Sequence, residues 1–192
     1  SIPDEGDKEE PKPDEDENVT GTLAFEDIWP SGGDYDMNDV IVEYERKVYF
    51  DKKNIVTKIV DEFTPVHDGA TYVNAFAYQI DAAQIGDKIT LPEGAILEKE
   101  TSSIIVMSNA KQNIGNKYVV TREFNGSFLK NQLLSYNPYI IVKYSQGEQN
   151  RTEVHLPKHK ATAYANQSLI GSNDDAYYID RKGAYPFAID IP

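Results

Sequence analysis

The chain has 192 residues and a mass of 21.6 kDa, enough for one domain with a sizeable core. Acids outnumber bases 32 to 19, and nine of the acids with two lysines fall in residues 1–18, so this leader carries a net charge of −7 and the remainder only −6. Nothing basic clusters to meet phosphates, no apolar run approaches the roughly 18 residues of a spanning helix, and there is no cysteine; nucleic-acid binding, helical membrane spans, disulfides and thiol chemistry are set aside.

Residues 1–18 are rich in Pro, Asp and Glu and nearly devoid of apolar groups, so they cannot bury enough surface to offset the entropy of ordering. They read as a disordered acidic tether ahead of a folded body over 19–192. From Val19 onward, Val, Ile, Thr and thirteen tyrosines fall in short blocks punctuated by Gly, Asn, Asp and Pro, which is the pattern of strands and turns. In chain order, strands are predicted at 23–26, 40–50, 55–63, 71–80, 88–91, 103–107, 118–124, 139–144, 152–156 and 187–191. Residues 40–50 and 55–63 flank the turn 51–54 and pair as a hairpin. Helical periodicity is confined to 82–85, 127–134 and 161–165. Many short strands and few helices predict an all-β fold, a two-sheet antiparallel β-sandwich of the jelly-roll kind.

One segment stands above this background. Between Trp29-Pro30 and the strand at Val40 lies the bend 32–39, with sequence GGDYDMND. Asp34, Asp36 and Asn38 are spaced by two, with Asp39 adjacent, and calcium loops use that spacing because a curled backbone aims alternate oxygens at one centre. The glycines permit the curl. The pattern is not an EF-hand: Asp39 occupies the position that needs Gly, and the strand from Val40 carries Glu45 roughly 20 Å away at about 3.3 Å per residue. Glu26 and Asp27 on one side, and Asp174 and Asp175 in a distant turn, are the candidates to complete a Ca²⁺ shell. Metal-free, the alternative is a turn capped by its own side chains. His155 and His159 are four apart, but Pro157 between them opposes a helix and a shared metal site.

The stretch FEDIWP at 25–30 followed by GDYDMNDV at 33–40 resembles the signature of the LruC-domain proteins, the DUF4842 family of exported cell-envelope proteins common in Bacteroidetes such as Bacteroides. Further agreement comes from Gly69-Ala70, Asn74-Ala75-Phe76, 137–140, 153–157, Asp174-Asp175 and 186–189. Met37 stands where that family usually has an aromatic, and family members usually continue past Pro192. The resemblance implies a β-sandwich without established enzymatic activity, a calcium site in the Asp-rich bend, and lipid anchoring at the outer membrane or cell surface, with the leader as spacer. The function expected is that of a non-catalytic, calcium-binding surface or adhesion module whose partner is a glycan or another envelope protein. Two alternatives stand beside it. One is a structural subunit of a surface assembly held by strand addition. The other is a glycoside hydrolase, for which no pair of carboxylates is singled out.

Overall fold

The computed structural model describes residues 15–31, 36–170, 178–179 and 185–192. Eleven strands form two antiparallel sheets, and the helical content is four single turns of 3₁₀ helix among the described residues. The first sheet has six strands in the order β11-β1-β2-β3-β8-β5 and the second five in the order β10-β9-β4-β7-β6. They are β1 (Glu15–Phe25), β2 (Val40–Phe50), β3 (Val56–His67), β4 (Ala75–Gln79), β5 (Lys88–Thr90), β6 (Ile96–Glu98), β7 (Ser103–Met107), β8 (Tyr118–Glu123), β9 (Asn137–Val142), β10 (Thr152–His155) and β11 (Ala188–Ile191). Strands β1 to β3 form a meander, and the chain then passes between sheets at nearly every connection, as a jelly-roll-like sandwich does.

Alternation fixes which face of each strand is buried. Val40, Val42 and Tyr44 of β2, Phe63 of β3 and Val120 of β8 point inward against Phe76, Tyr78, Ile104, Val106, Ile140 and Val154 of the second sheet, and together they form the main core. A second, smaller core of Val48, Val56, Ile59, Phe124 and Phe128 lies toward the far end of the first sheet. Between the two cores runs a buried polar band. Arg46 grips Asp61 through two bonds of 2.6 and 2.9 Å, Tyr78 donates to the same carboxylate at 3.2 Å, and Arg122 lies 3.6 Å from it while donating to the Gln84 carbonyl at 2.7 Å. The Arg46 guanidinium also rests 4.2 Å above the Tyr136 ring.

Tyr44 reaches across β1 to donate to Asp190 of the edge strand β11 at 2.8 Å. Gly21 makes room for that ring: a Cβ there would lie 2.6 Å from the Tyr44 Cζ and closer still to its hydroxyl. Burial, with the Asp190 hydrogen bond and charge, pushes the Tyr44 hydroxyl up to about 12, so it stays a donor at every physiological pH.

The structure moves several boundaries. β1 begins at Glu15, so residues 15–18, which composition assigns to the tether, pair with 47–50 of β2. A long neighbouring strand supplies ladder partners that composition cannot reveal. β6 is absent from the sequence reading and becomes a strand by pairing with Ser103–Ile105 of β7. The stretch 71–80 yields a strand only from Ala75, and 127–134 shortens to one 3₁₀ turn, Lys130–Gln132. No helix forms over 161–165; that segment runs back beside β10, where Ala165 bridges Arg151, and the 3₁₀ turn follows at Gln167–Leu169.

A candidate metal centre at one end of the sandwich

Strand register brings three connections to the same end of the sandwich. Phe25 pairs with Val40, so the chain leaves β1 and re-enters β2 at one point after the loop 26–39. Ile41 pairs with His67, which places the connection 68–74 beside that loop, and Asn74 immediately precedes β4. The Glu26 amide extends the edge by donating to the Phe187 carbonyl at 2.8 Å. Trp29, preceding a cis peptide bond to Pro30, is buried against Tyr178 with ring centroids 4.7 Å apart, so it serves the core rather than an exposed surface.

Five carboxylates meet there. Glu26 and Asp27 are 1% and 4% exposed, which is rare for acids without a cationic partner. Glu26 Oε1 accepts the Met37 N–H at 2.5 Å, Asp39 Oδ2 accepts the Asp27 N–H at 2.9 Å, and Asn74 donates to Asp27 Oδ2 at 2.9 Å. Asp36, exposed, accepts from the Asn38 side chain at 2.6 Å. Met37 between them has φ of 55°, a left-handed conformation that turns the bend back toward Glu26. Asp68 enters from the connection after β3: its Oδ1 accepts the Ala70 N–H at 3.0 Å, while its buried Oδ2 has no hydrogen-bond partner among the described residues. Gly69 lets this connection approach the bend, donating to the Asn38 carbonyl at 3.2 Å where a Cβ would come within 3.1 Å of the same oxygen.

The electrostatics follow from that crowding. Burial, then the hydrogen bond and charge of Asp39, push the Glu26 carboxyl up to about 8. Burial also raises Asp27, with Asp39 and Asp68 adding to it and the Asn74 amide opposing. Asp68 is raised by burial and by Asp39, against the Ala70 N–H and the Lys111 ammonium, which donates to the Ala70 carbonyl. Three acids held toward their neutral forms mark a place where negative charge has been gathered beyond what the protein's own cations balance.

Of the eight ligand candidates read from the sequence, Glu26, Asp27, Asp36, Asn38 and Asp39 come together at this end; Asp34, Asp174 and Asp175 lie outside the described residues. Among the described residues, no three acid or histidine side chains are already gathered closely enough to hold an ion as they stand. Glu26 and Asp39 spend oxygens on backbone N–H groups instead. The donor set nonetheless suits a hard cation: it is all oxygen, it is anionic, and among the described residues Asp68 Oδ2 faces no competing donor. Asp68 and Asn74 escape the sequence reading because only the β2–β3 register and the start of β4 bring them to the bend.

The family model of a domain of unknown function, DUF4842, matches residues 54–192. The chain belongs to the DUF4842 family. No curated protein and no solved structure matches it. The matched segment of this DUF4842 chain contains Asp68 and Asn74, whereas the bend and its acids precede it.

Proposed function

We propose that this DUF4842 chain is a non-catalytic binding module that works outside the cell and whose acidic end is ordered by Ca²⁺. The observation that carries this reading is the convergence of Glu26, Asp27, Asp36, Asp39 and Asp68 from three segments, with Glu26 and Asp27 buried and one Asp68 oxygen left without a donor among the described residues. A divalent cation would supply the missing positive charge, with Asp36, Asp39, Glu26, Asp27 and Asp68 as its holders, and would staple the bend to the connection after β3. Carboxylates committed to a cation and to backbone N–H groups are poorly suited to proton transfer, which favours a binding role over a hydrolytic one. Val66 near the end of β3, with Tyr72 and Val73 exposed on the connection that carries Asp68, gives this end apolar surface for a glycan or protein partner. The export and lipid anchoring implied by the family resemblance would place the module where calcium is abundant.

A thermal melt in excess Ca²⁺ against one in chelator tests the reading. Extracellular calcium modules bind at about 10⁻⁴ to 10⁻³ M. At about 10 mM Ca²⁺ the stabilisation is then about 1.4 to 2.7 kcal/mol, or a rise in midpoint of about 3 to 11 °C for a chain of this size. An unchanged midpoint would remove the metal from the account.

A further inference from the structure

Apart from the acidic residues, a fully buried histidine closes a hydrogen-bond network on the outer face of the five-stranded sheet. Directly paired residues share a face, so Glu153 and His155 of β10 stand beside Ile141 and Tyr139 of β9, opposite the core residues Val154 and Ile140. Over them runs the segment 156–166, tied down as a strap. Thr162 gives its N–H and hydroxyl to the Glu153 carboxylate at 2.8 and 2.6 Å, Asn137 donates to the Lys160 carbonyl at 2.8 Å, and Arg151 gives its backbone N–H to the Tyr164 carbonyl at 3.0 Å while its own carbonyl accepts the Asn166 N–H at 2.7 Å.

Donors and acceptors fix the state of the ring between them. The Lys160 carbonyl can only accept, so the NH₂ of Asn137 faces it, and Asn137 Oδ1 is turned toward His155 Nδ1 at 2.8 Å. An amide oxygen can only accept, so Nδ1 carries hydrogen. On the other side, Nε2 lies 2.8 Å from Glu153 Oε1. That carboxylate already receives the Thr162 N–H on Oε1, and the Arg151 Nε–H at 2.8 Å and the Thr162 hydroxyl on Oε2, so it is an acceptor toward Nε2 as well. Burial opposes its ionisation, but bonds from His155 and Thr162, with the charges of His155 and Arg151, outweigh burial and hold the carboxyl down at about 2. Burial pulls the His155 ring toward its neutral form and Glu153 pulls it the other way. The charge count decides between them. Arg151 is clasped by the partly exposed Glu98 through two bonds of 2.8 Å and by the buried Glu153, so one buried cation faces two anions, and a proton on His155 brings the cluster to neutrality. Tyr139 stacks on the ring at 4.4 Å and Tyr178 lies 5.2 Å away, faces that favour a cation, while the charges of His159 and Arg151 oppose it.

We propose that His155 is a buried imidazolium whose two N–H groups lock Asn137 and Glu153 beneath the strap 156–166, and that loss of its proton at alkaline pH releases the strap. The sign follows from the proton retained. An unfolded histidine loses its proton near about pH 6.5, so the stabilisation is complete below that value and is lost as the pH rises through the folded-state value. Glu153 acts oppositely, contributing above the ordinary glutamate value of 4.5 and losing that contribution as the pH falls toward about 2.

Nitrogen NMR of the ¹⁵N-histidine-labelled chain at about pH 7.5, where a free imidazole is mostly neutral, reads the state directly. Both ring nitrogens of His155 are expected to be protonated; one bare nitrogen would overturn the proposal. Hydrogen exchange at the Thr162 amide reads the strap. Above the folded-state pKa its opening should grow by roughly tenfold per pH unit beyond the intrinsic rate, and His155→Gln, with no ring to titrate, should lack that excess. An excess that persists in His155→Gln, or is absent from the native chain up to about pH 10, contradicts the proposal.

Discussion

Asp61→Leu is expected to cost the fold about 3 to 5 kcal/mol, the largest loss of any single change considered for this chain. Asp61 is 1% exposed and is the anion to which Arg46, Arg122 and Tyr78 all turn. Removing it leaves two guanidinium groups, 7% and 1% exposed, facing each other between the two cores with no counter-charge. Against a usual stability of about 5 to 15 kcal/mol, that loss unfolds a substantial share of the molecules at moderate temperature. Asp61→Asn keeps an acceptor and the shape and should cost less. Denaturant unfolding separates electrostatics from packing: the triple change Arg46→Met, Asp61→Leu, Arg122→Met removes the buried charges together and should recover most of the loss, because desolvated ions add little net stability when all are replaced by apolar groups. A triple variant as unstable as Asp61→Leu would assign the effect to shape.

Asp39→Asn is expected to act in opposite directions with and without calcium. Its Oδ2 accepts the Asp27 N–H, a bond that an amide oxygen can retain, while its charge is among the causes that raise Glu26, Asp27 and Asp68. In chelator the variant should melt higher than the parent, since one member of a repelling group has been neutralised. In calcium it should melt lower, since the ion has lost an anionic ligand, and the parent's rise of about 3 to 11 °C should shrink to less than about 2 °C. A side chain that merely caps the turn would lower the midpoint by the same amount in both buffers. The crossover therefore distinguishes a ligand from a cap.

The sandwich is legible in the sequence where burial imposes a period. β2 and β7 have the bounds that alternation and apolar runs mark, and β8 and β10 differ at one end only. What stays illegible depends on partners. Residues 15–18 look like a solvated tether until β2 offers them a ladder, and β6 is a strand because Ser103–Met107 lies beside it. The same division holds for the site. The acids of the bend announce themselves by spacing, and Glu26 and Asp27 by closeness to it. Asp68 looks like an ordinary loop aspartate, and only the pairing of Ile41 with His67 carries it to the bend. His155 is hidden in another way: the sequence reads it as a strand-end histidine, and its importance rests on Asn137 and Thr162, which no local pattern connects to it.

The central claim is that the carboxylates of Glu26, Asp27, Asp36, Asp39 and Asp68 are kept together because a divalent cation binds among them. Calorimetric titration of calcium into the chelator-treated chain tests this most directly. The account predicts saturable binding in the range of about 10⁻⁴ to 10⁻³ M or tighter, lost in Asp39→Asn and weakened in Asp68→Asn. Absence of saturable heat from the folded parent, together with identical melts in calcium and chelator, would contradict it.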